Sequence, residues 1–80
     1  MIDFKKSENP HFPGKAEWVR RVQDGQATAE IGCPWCGHFG SLQHHAIASD
    51  GTVTPSLVCP WAKENGCTFH DNGRLAGWAG

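Results

Sequence analysis

The sequence predicts a small β-rich domain whose limited core is reinforced by a group of cysteines. Its 80 residues make one domain at most, and a chain of this length buries a small fraction of its surface, so its core is marginal without further cross-linking. Turn dipeptides such as Asp-Gly and Asn-Gly separate short apolar segments, a pattern typical of β-hairpins. Four cysteines can supply the cross-linking, and their spacing indicates a metal site.

Residues 1–14 are predicted to form an extended N-terminal arm in front of a domain at residues 15–80. Pro10 and Pro13 exclude a continuous helix, and each belongs to a turn dipeptide. Phe4 and Phe12 are the side chains that could anchor this arm to the domain. A frayed tail is the alternative interpretation.

Residues 15–31 fit two structures. The apolar residues of the first half would form one face of a short helix. The whole segment also fits a hairpin that turns at Asp24-Gly25, a dipeptide favoured in type I′ turns. We favour the hairpin and keep the helix as the alternative. The apolar pairs expected in the hairpin are Trp18 with Ile31 and Val22 with Ala27.

Residues 41–59 are predicted to form a second hairpin, which turns at Asp50-Gly51. Pro55 has no N–H to donate to a neighbouring strand, so its strand should lie at a sheet edge or contain a bulge. The expected facing pairs are Ala48 with Val53, His44 with Leu57, and Leu42 with Cys59.

The last twenty residues are predicted to hold a loop and one or two short strands. Residues 60–66 form the loop, with one helical turn at residues 61–65 as an option. Residues 68–78 form a last strand or strand pair, for which Asn72-Gly73 is a turn signal. Trp78 and Leu75 are expected to close the core.

Four cysteines and one histidine are the candidate metal ligands. Cys33-Pro-Trp-Cys36-Gly is a two-cysteine knuckle, in which two thiolates separated by two residues can reach one ion from a single tight turn. Downstream, Cys59-Pro-Trp repeats the first three residues, and Cys67-Thr-Phe-His70 follows. One ligand set is Cys33, Cys36, Cys59 and Cys67, and the other replaces Cys59 with His70. The repeat favours four cysteines around one structural Zn²⁺.

Two other uses of the cysteines are less consistent with the sequence. Disulfides need an oxidising compartment, but residues 1–6 are charged and no apolar run follows them, so the chain is expected to be cytoplasmic and not to cross a membrane. A redox Cys-x-x-Cys pair should follow a strand and open a helix within a βαβ unit. Gly37 and Gly40 make a poor helix start here.

The charge balance favours a protein partner over a nucleic acid. Seven Lys plus Arg against eight Asp plus Glu give a formal net charge of −1, whereas nucleic-acid-binding domains are usually basic. Trp35 and Trp61, in the knuckle loops, would contact a partner or shield the metal. The alternative is a nucleic-acid-binding module that uses the basic residues near the N-terminus. These residues are Lys5, Lys6, Lys15, Arg20 and Arg21.

No catalytic site is predicted. A zinc ion held by four cysteines, or by three cysteines and a histidine, has no open coordination position. His44, His45, Asn65 and His70 loosely resemble the pattern of His-Asn-His nucleases. However, the acidic residue usual before the first histidine is missing, and two adjacent histidines would point to opposite faces of a strand.

Four segments together carry a family resemblance. They are Cys33-Pro-Trp-Cys36-Gly, residues 51–57 (Gly-Thr-Val-Thr-Pro-Ser-Leu), Gly-Cys67-Thr-Phe-His70, and a closing Gly-Arg-Leu followed by Trp78. In this order, residues 31–78 resemble small zinc-ribbon proteins of bacteriophages and prophages. The resemblance implies a zinc-stabilised β-structure with Cys33, Cys36 and Cys67 as ligands and a phage accessory role. It names no substrate and leaves Cys59 and His70 as alternatives for the fourth ligand.

The sequence as a whole therefore predicts a β-rich, zinc-ribbon-like domain with one structural zinc per chain. The expected function is non-enzymatic: a phage or prophage accessory protein that binds a host protein in the host cytoplasm, as a monomer or small homo-oligomer. Residues 1–30 lie outside the resemblance and could hold the partner specificity.

Overall fold

One mixed β-sheet makes up most of the fold. The computed structural model describes residues 1–79 and, within them, seven strands and one short helix. The strands are β1 (Ile2–Lys6), β2 (Glu17–Gln23), β3 (Gln26–Gly32), β4 (Phe39–Ser41), β5 (Ala46–Ile47), β6 (Thr52–Val58) and β7 (His70–Leu75), and the helix is α1 (Ala62–Asn65). The strand order across the sheet is β4-β3-β2-β1-β7-β6-β5. The predicted class, a small β-rich domain with one helical turn, is confirmed, and no helix among residues 1–79 could span a membrane.

The N-terminal segment is the central strand of the sheet. β1 pairs in parallel with β2 on one side, where Lys6 faces Trp18, and with β7 on the other, where Phe4 faces Leu75. The Phe4 side chain is completely buried. This differs from the expected arm at residues 1–14 and contradicts the frayed tail. The strand was not predicted because it is only five residues long and pairs in parallel with both neighbours, so no hairpin turn joins it to a partner.

The β2–β3 hairpin has the predicted register. Trp18 faces Ile31 and Val22 faces Ala27 in the antiparallel ladder. Asp24 and Gly25 both have positive φ values, 52° and 79°, as a type I′ turn requires. The hairpin is confirmed, and the alternative helix is not formed.

The second hairpin is shorter than expected, and its register is shifted by one residue. Ile47, rather than Ala48, faces Val53, and residues 42–45 form no strand. The reason is a longer turn, in which the Gly51 N–H donates to Ala48 O and the Ala48 N–H donates to Thr52 O. The predicted pairs Ala48–Val53, His44–Leu57 and Leu42–Cys59 are therefore wrong. Residues 39–41 instead form β4, which pairs with β3.

The β6–β7 pair confirms one prediction and corrects another. The register shifts between Val53 and Leu57, around Pro55, so the expected bulge is present. However, β7 continues straight through Asn72-Gly73 without turning. Gly73 is needed as a small residue, because a Cβ there would lie 2.4 Å from Leu57 Cδ1 and 3.0 Å from the Phe4 ring.

The sheet is curled so that its two halves meet. β3 and β6 lie on opposite sides of β1, yet the segments that follow them are in contact. A Cβ at Gly40 in β4 would lie 2.5 Å from the Pro60 side chain beyond β6. The Trp61 indole N–H also donates to the Phe39 carbonyl oxygen. The core inside this curl includes Phe4, Trp18, Ile31, Leu42, Val53, Leu57, Phe69 and Leu75, together with Cys33 and Cys59.

Candidate metal centre

The first knuckle is a tight turn at the end of β3. The Gly37 N–H donates to Cys33 O (3.0 Å), and the Cys33 N–H donates to His38 O (2.8 Å). Gly37 has a φ of 82°, which an L side chain adopts only with strain. The Trp35 N–H points at Cys33 Sγ (3.4 Å), the direction from which a backbone amide can donate to a metal-bound sulfur.

The second knuckle repeats this arrangement after β6. The Trp61 N–H points at Cys59 Sγ (3.4 Å), as the Trp35 N–H does at Cys33. The Cys-Pro-Trp repeat in the sequence therefore corresponds to the same local contact. α1 occupies the longer loop, and Gly66, with a φ of 72°, returns the chain to Cys67.

The two knuckles bring four sulfur atoms together. All four Sγ atoms of Cys33, Cys36, Cys59 and Cys67 lie within 4.8 Å of one another. Cys33 and Cys67 are 3.7 Å apart between their Sγ atoms, and Cys36 and Cys59 are 3.5 Å apart. A tetrahedral zinc site with Zn–S bonds of about 2.3 Å has edges of about 3.8 Å. The four cysteines are thus positioned to coordinate one metal ion.

His70 does not belong to this group. Its Nε2 atom lies 2.8 Å from Ser56 Oγ, and the residue is exposed at the start of β7. Of the two ligand sets derived from the sequence, the structure assembles the one made of four cysteines.

The environments of Cys36, Cys59 and Cys67 differ strongly. Hydrogen bonds from the His38 backbone amide and ring lower the pKa of Cys36 to about 5. Burial raises the pKa of Cys59 to about 12. The Phe69 amide lowers the pKa of Cys67, but burial and the neighbouring Cys33 thiol outweigh it, so the net shift is upward. A cation among the sulfurs would favour the thiolate form of all four, which is the chemistry a soft divalent metal supplies.

Two side chains next to the sulfurs were not assigned to the site from the sequence. His38 Nδ1 lies 3.4 Å from Cys36 Sγ, and the Asn65 carboxamide N–H donates to the same sulfur at 3.4 Å. His38 was overlooked, and Asn65 was considered only as a nuclease residue. The sequence signal that could have identified His38 is its position two residues after Cys36, where the turn brings the chain back toward the sulfur.

The residues of the nuclease pattern form no common contact. Asn65 contacts Cys36, His70 contacts Ser56, and His44 contacts Gln43, each in a different part of the described chain. Within the basic N-terminal group, Arg21 forms an ion pair with Glu30 at 2.9 Å and donates to backbone carbonyls of the 7–16 connection. Much of the Arg21 side chain is therefore engaged within the molecule.

Several aromatic rings around the cysteines are exposed. Phe12 stacks on Phe39 with 6.1 Å between ring centroids, and His38 lies 5.0 Å from Trp61. Together with the Trp61–Phe39 hydrogen bond, these contacts form a continuous surface of Phe12, His38, Phe39 and Trp61, here called the aromatic face. Trp35 is 60% exposed and rests edge-on against Phe69, which packs beneath the knuckles.

Comparison with protein-family models, with curated proteins and with solved structures finds no match to this chain. The resemblance to phage zinc-ribbon proteins therefore stays an expectation from the sequence.

Proposed function

We propose that Cys33, Cys36, Cys59 and Cys67 bind one Zn²⁺ and that this ion is structural. The proposal is supported by the sulfur separations, which match a zinc tetrahedron, and by the N–H groups directed at the sulfurs. Four thiolates would fill the coordination sphere and leave no position for a substrate or an activated water.

The same geometry weighs against a redox function for the Cys-x-x-Cys pair. Cys33, its first cysteine, is completely buried, whereas a reactive thiolate must be accessible. The close sulfur contacts join one knuckle to the other, and no helix begins at Cys36. A structural metal accounts for these features more simply.

The zinc proposal is tested by native mass spectrometry of protein purified without chelator. We expect one zinc per chain in the wild type and in His70→Ala, and no zinc in Cys59→Ser. His70→Ala is the matched control because it removes the other candidate ligand. Zinc that persists in Cys59→Ser but is lost in His70→Ala would refute the four-cysteine site.

We further propose that the domain is a non-enzymatic module that binds a protein through the aromatic face. The observation that carries this proposal is the exposure of Phe12 (52%), Phe39 (43%) and Trp61 (42%) as one continuous surface. Aromatic residues are enriched in protein interfaces and dominate their binding energy. The resemblance to phage zinc ribbons extends the proposal to a host protein as the partner, in the host cytoplasm.

A nucleic acid is the second candidate partner, favoured by two lysines beside the segments that carry the aromatic face. Side-chain carbons of Lys15 approach the Gly37 turn, and Lys63 follows Trp61 within α1. Exposed rings flanked by cations can stack bases of a single strand. Binding of this kind should weaken steeply as the salt concentration rises. The net charge of −1 does not favour binding to the negatively charged nucleic-acid backbone.

The partner proposal is tested by crosslinking capture from host extract, followed by reconstitution with the purified partner. Trp61→Ala and Phe39→Ala should each weaken the reconstituted complex by about tenfold or more. Val22→Ala is the control, because Val22 is also an exposed apolar residue but lies at the far end of β2. Equal binding by all three variants, or retardation of single-stranded RNA or DNA that salt abolishes, would overturn the protein-binding proposal.

A further inference from the structure

A cleft lies at the end of the molecule opposite to the cysteines. Its volume is about 540 Å³, and it opens between the β2–β3 turn, residues 43–47 and Trp78. β3 separates the β2–β3 turn from Cys33 by seven residues, or roughly 20 Å at the usual rise of a strand. Small-molecule sites commonly have volumes of about 300–1,000 Å³. The cleft is thus large enough for a ligand and distinct from the candidate metal centre.

Most polar side chains that line the cleft can both donate and accept hydrogen bonds, and the indole donates only. Three carboxamides, two imidazoles and one indole supply most of its chemistry, from Gln23, Gln26, Gln43, His44, His45 and Trp78. No lysine or arginine belongs to the lining, and Asp24 carries its only carboxylate. A phosphate or carboxylate ligand would therefore meet no cation and one like charge.

Two side chains of this cleft are held in place, but a polar atom of another lacks a hydrogen-bond partner among residues 1–79. The Gln23 carboxamide N–H donates to Gln43 Oε1, which ties the β2–β3 turn to the segment after β4. On the same wall, His45 Nδ1 is buried and has no hydrogen-bond partner among the described residues. A buried polar atom without a partner is uncommon in a folded protein.

Trp78 adds an apolar surface to this polar lining. Its ring packs edge-on against Trp18, with 5.5 Å between centroids, and remains half-buried. The Trp18 indole N–H donates to Ala76 O at 2.9 Å, which fixes the chain just before Trp78. An indole held in this way offers a flat apolar face beside a set of hydrogen-bonding groups.

We propose that this cleft binds a neutral sugar. A sugar hydroxyl both donates and accepts, as carboxamides and imidazoles do, and the C–H face of a sugar ring can pack on the indole. An uncharged ligand also agrees with the absence of cations in the lining. This inference does not depend on the proposed function, because it uses no residue of the aromatic face or of the cysteine group.

The test is titration of the full chain, in the state in which it is purified, with a panel of small molecules, followed by two-dimensional NMR. The panel holds glucose, galactose, N-acetylglucosamine and maltose as neutral sugars, with glucuronate and adenosine as comparison compounds. We expect at least one neutral sugar to shift the amide signals of Thr28 and His44 and the Trp78 indole signal at millimolar concentrations. Gln43→Ala and His44→Ala should each weaken that binding about fivefold to tenfold. A disaccharide that binds more tightly than its monomer would point to a glycan chain rather than a free sugar.

Trp35→Ala serves as the control variant, because its ring lies at the cysteine end, and it should leave sugar binding unchanged. Gln43 and His44 are both exposed, so their substitution should not unfold the chain, and the NMR spectra report folding directly. The proposal is overturned if no neutral sugar perturbs these signals. It is equally overturned if only adenosine or glucuronate binds, or if binding is indifferent to both cleft variants.

Discussion

At the scale of single residues, Asn65 connects the two knuckles. Its Oδ1 accepts a hydrogen bond from the Cys67 N–H at 2.9 Å, and its Nδ2 donates to Cys36 Sγ at 3.4 Å. One carboxamide therefore orients a cysteine from each knuckle. Mutation of a group that orients a metal ligand in this way typically lowers the metal affinity by about tenfold to a hundredfold.

Removing the Asn65 side chain should weaken zinc binding without abolishing it. In Asn65→Ala both hydrogen bonds are lost while all four sulfurs remain, so we expect zinc affinity to fall by about tenfold to a hundredfold. Competition with a chromophoric chelator measures the change. His70→Ala, which removes a side chain outside the cysteine group, is the control. An unchanged affinity in Asn65→Ala would show that these contacts do not orient the ligands.

Gly73 is a second residue whose role follows from one distance. A Cβ there would lie 2.4 Å from Leu57 Cδ1 and 3.0 Å from the Phe4 ring, so Gly73→Ala overpacks the core. We expect the free energy of unfolding to fall by about 1–3 kcal/mol in urea denaturation with zinc present. The neighbouring Asn72 is exposed, so Asn72→Ala should change the free energy of unfolding by no more than about 0.5 kcal/mol. Equal stability of the two variants would contradict the packing described at β7.

At the scale of secondary-structure elements, local turn chemistry was readable from the sequence and long-range pairing was not. Asp24-Gly25 identified the β2–β3 hairpin and its register. A two-residue I′ turn places its flanking residues, Gln23 and Gln26, opposite each other, and this pair determines all the others. Asp50-Gly51 identified the second turn but not its length, and one extra turn residue shifted every pair. β1 was missed because it pairs in parallel with both neighbours, so no local turn joins it to either partner.

The position of β1 leads to a contrast between two phenylalanines of the N-terminal segment. Phe4 is completely buried, so Phe4→Ala should lower the free energy of unfolding by about 3–5 kcal/mol. Phe12 is half exposed, so Phe12→Ala should change it by no more than about 0.5 kcal/mol. Urea denaturation of both variants with zinc present measures the difference. If the two variants were equally stable, residues 1–14 would be an arm after all.

At the scale of the whole molecule, the cysteine group closes the curled sheet. Cys33 and Cys36 lie between β3 and β4 in the β4-β3-β2 half, whereas Cys59 and Cys67 lie between β6 and β7 in the β7-β6-β5 half. Among the elements of the described chain, β1 is the strand that joins the two halves through backbone pairing. A metal ion held by all four sulfurs would join the two halves by strong bonds as well, so folding and metal binding should be coupled.

Removal of the metal should therefore unfold the sheet. We expect a strong chelator to collapse the amide dispersion in NMR spectra and the β signal in circular dichroism. One equivalent of Zn²⁺ should restore both, whereas Mg²⁺ should not, because it prefers oxygen ligands. An intact sheet in the presence of chelator, with no metal bound, would contradict this coupling.

The same coupling fixes the direction of the pH dependence. Metal-bound thiols have folded-state pKa values below the ordinary value of about 8.5, so they bind fewer protons in the folded state than in the unfolded state. The stability they contribute is therefore present at neutral pH and is lost as the pH falls through the folded-state values. Acid titration should show zinc release and loss of circular dichroism in one transition. Unfolding that precedes zinc release would contradict the coupling.

The candidate site was predicted more completely than the sheet that carries it. Each knuckle is a local motif, so the cysteine spacing and the Cys-Pro-Trp repeat indicated all four sulfurs. The fourth position remained open between Cys59 and His70, because only the curl of the sheet decides which of them meets Cys36. The contacts of His38 and Asn65 depend on the same curl and on α1, and for that reason they were not predicted.

The central claim, a structural zinc held by four cysteines, is tested most directly by X-ray absorption at the zinc K-edge of the protein as purified. We expect a single shell of four sulfur atoms at about 2.3 Å. A shell of three sulfurs and one nitrogen would bring a histidine into the site and contradict the claim. The absence of bound zinc in protein that is nonetheless folded would contradict it as well.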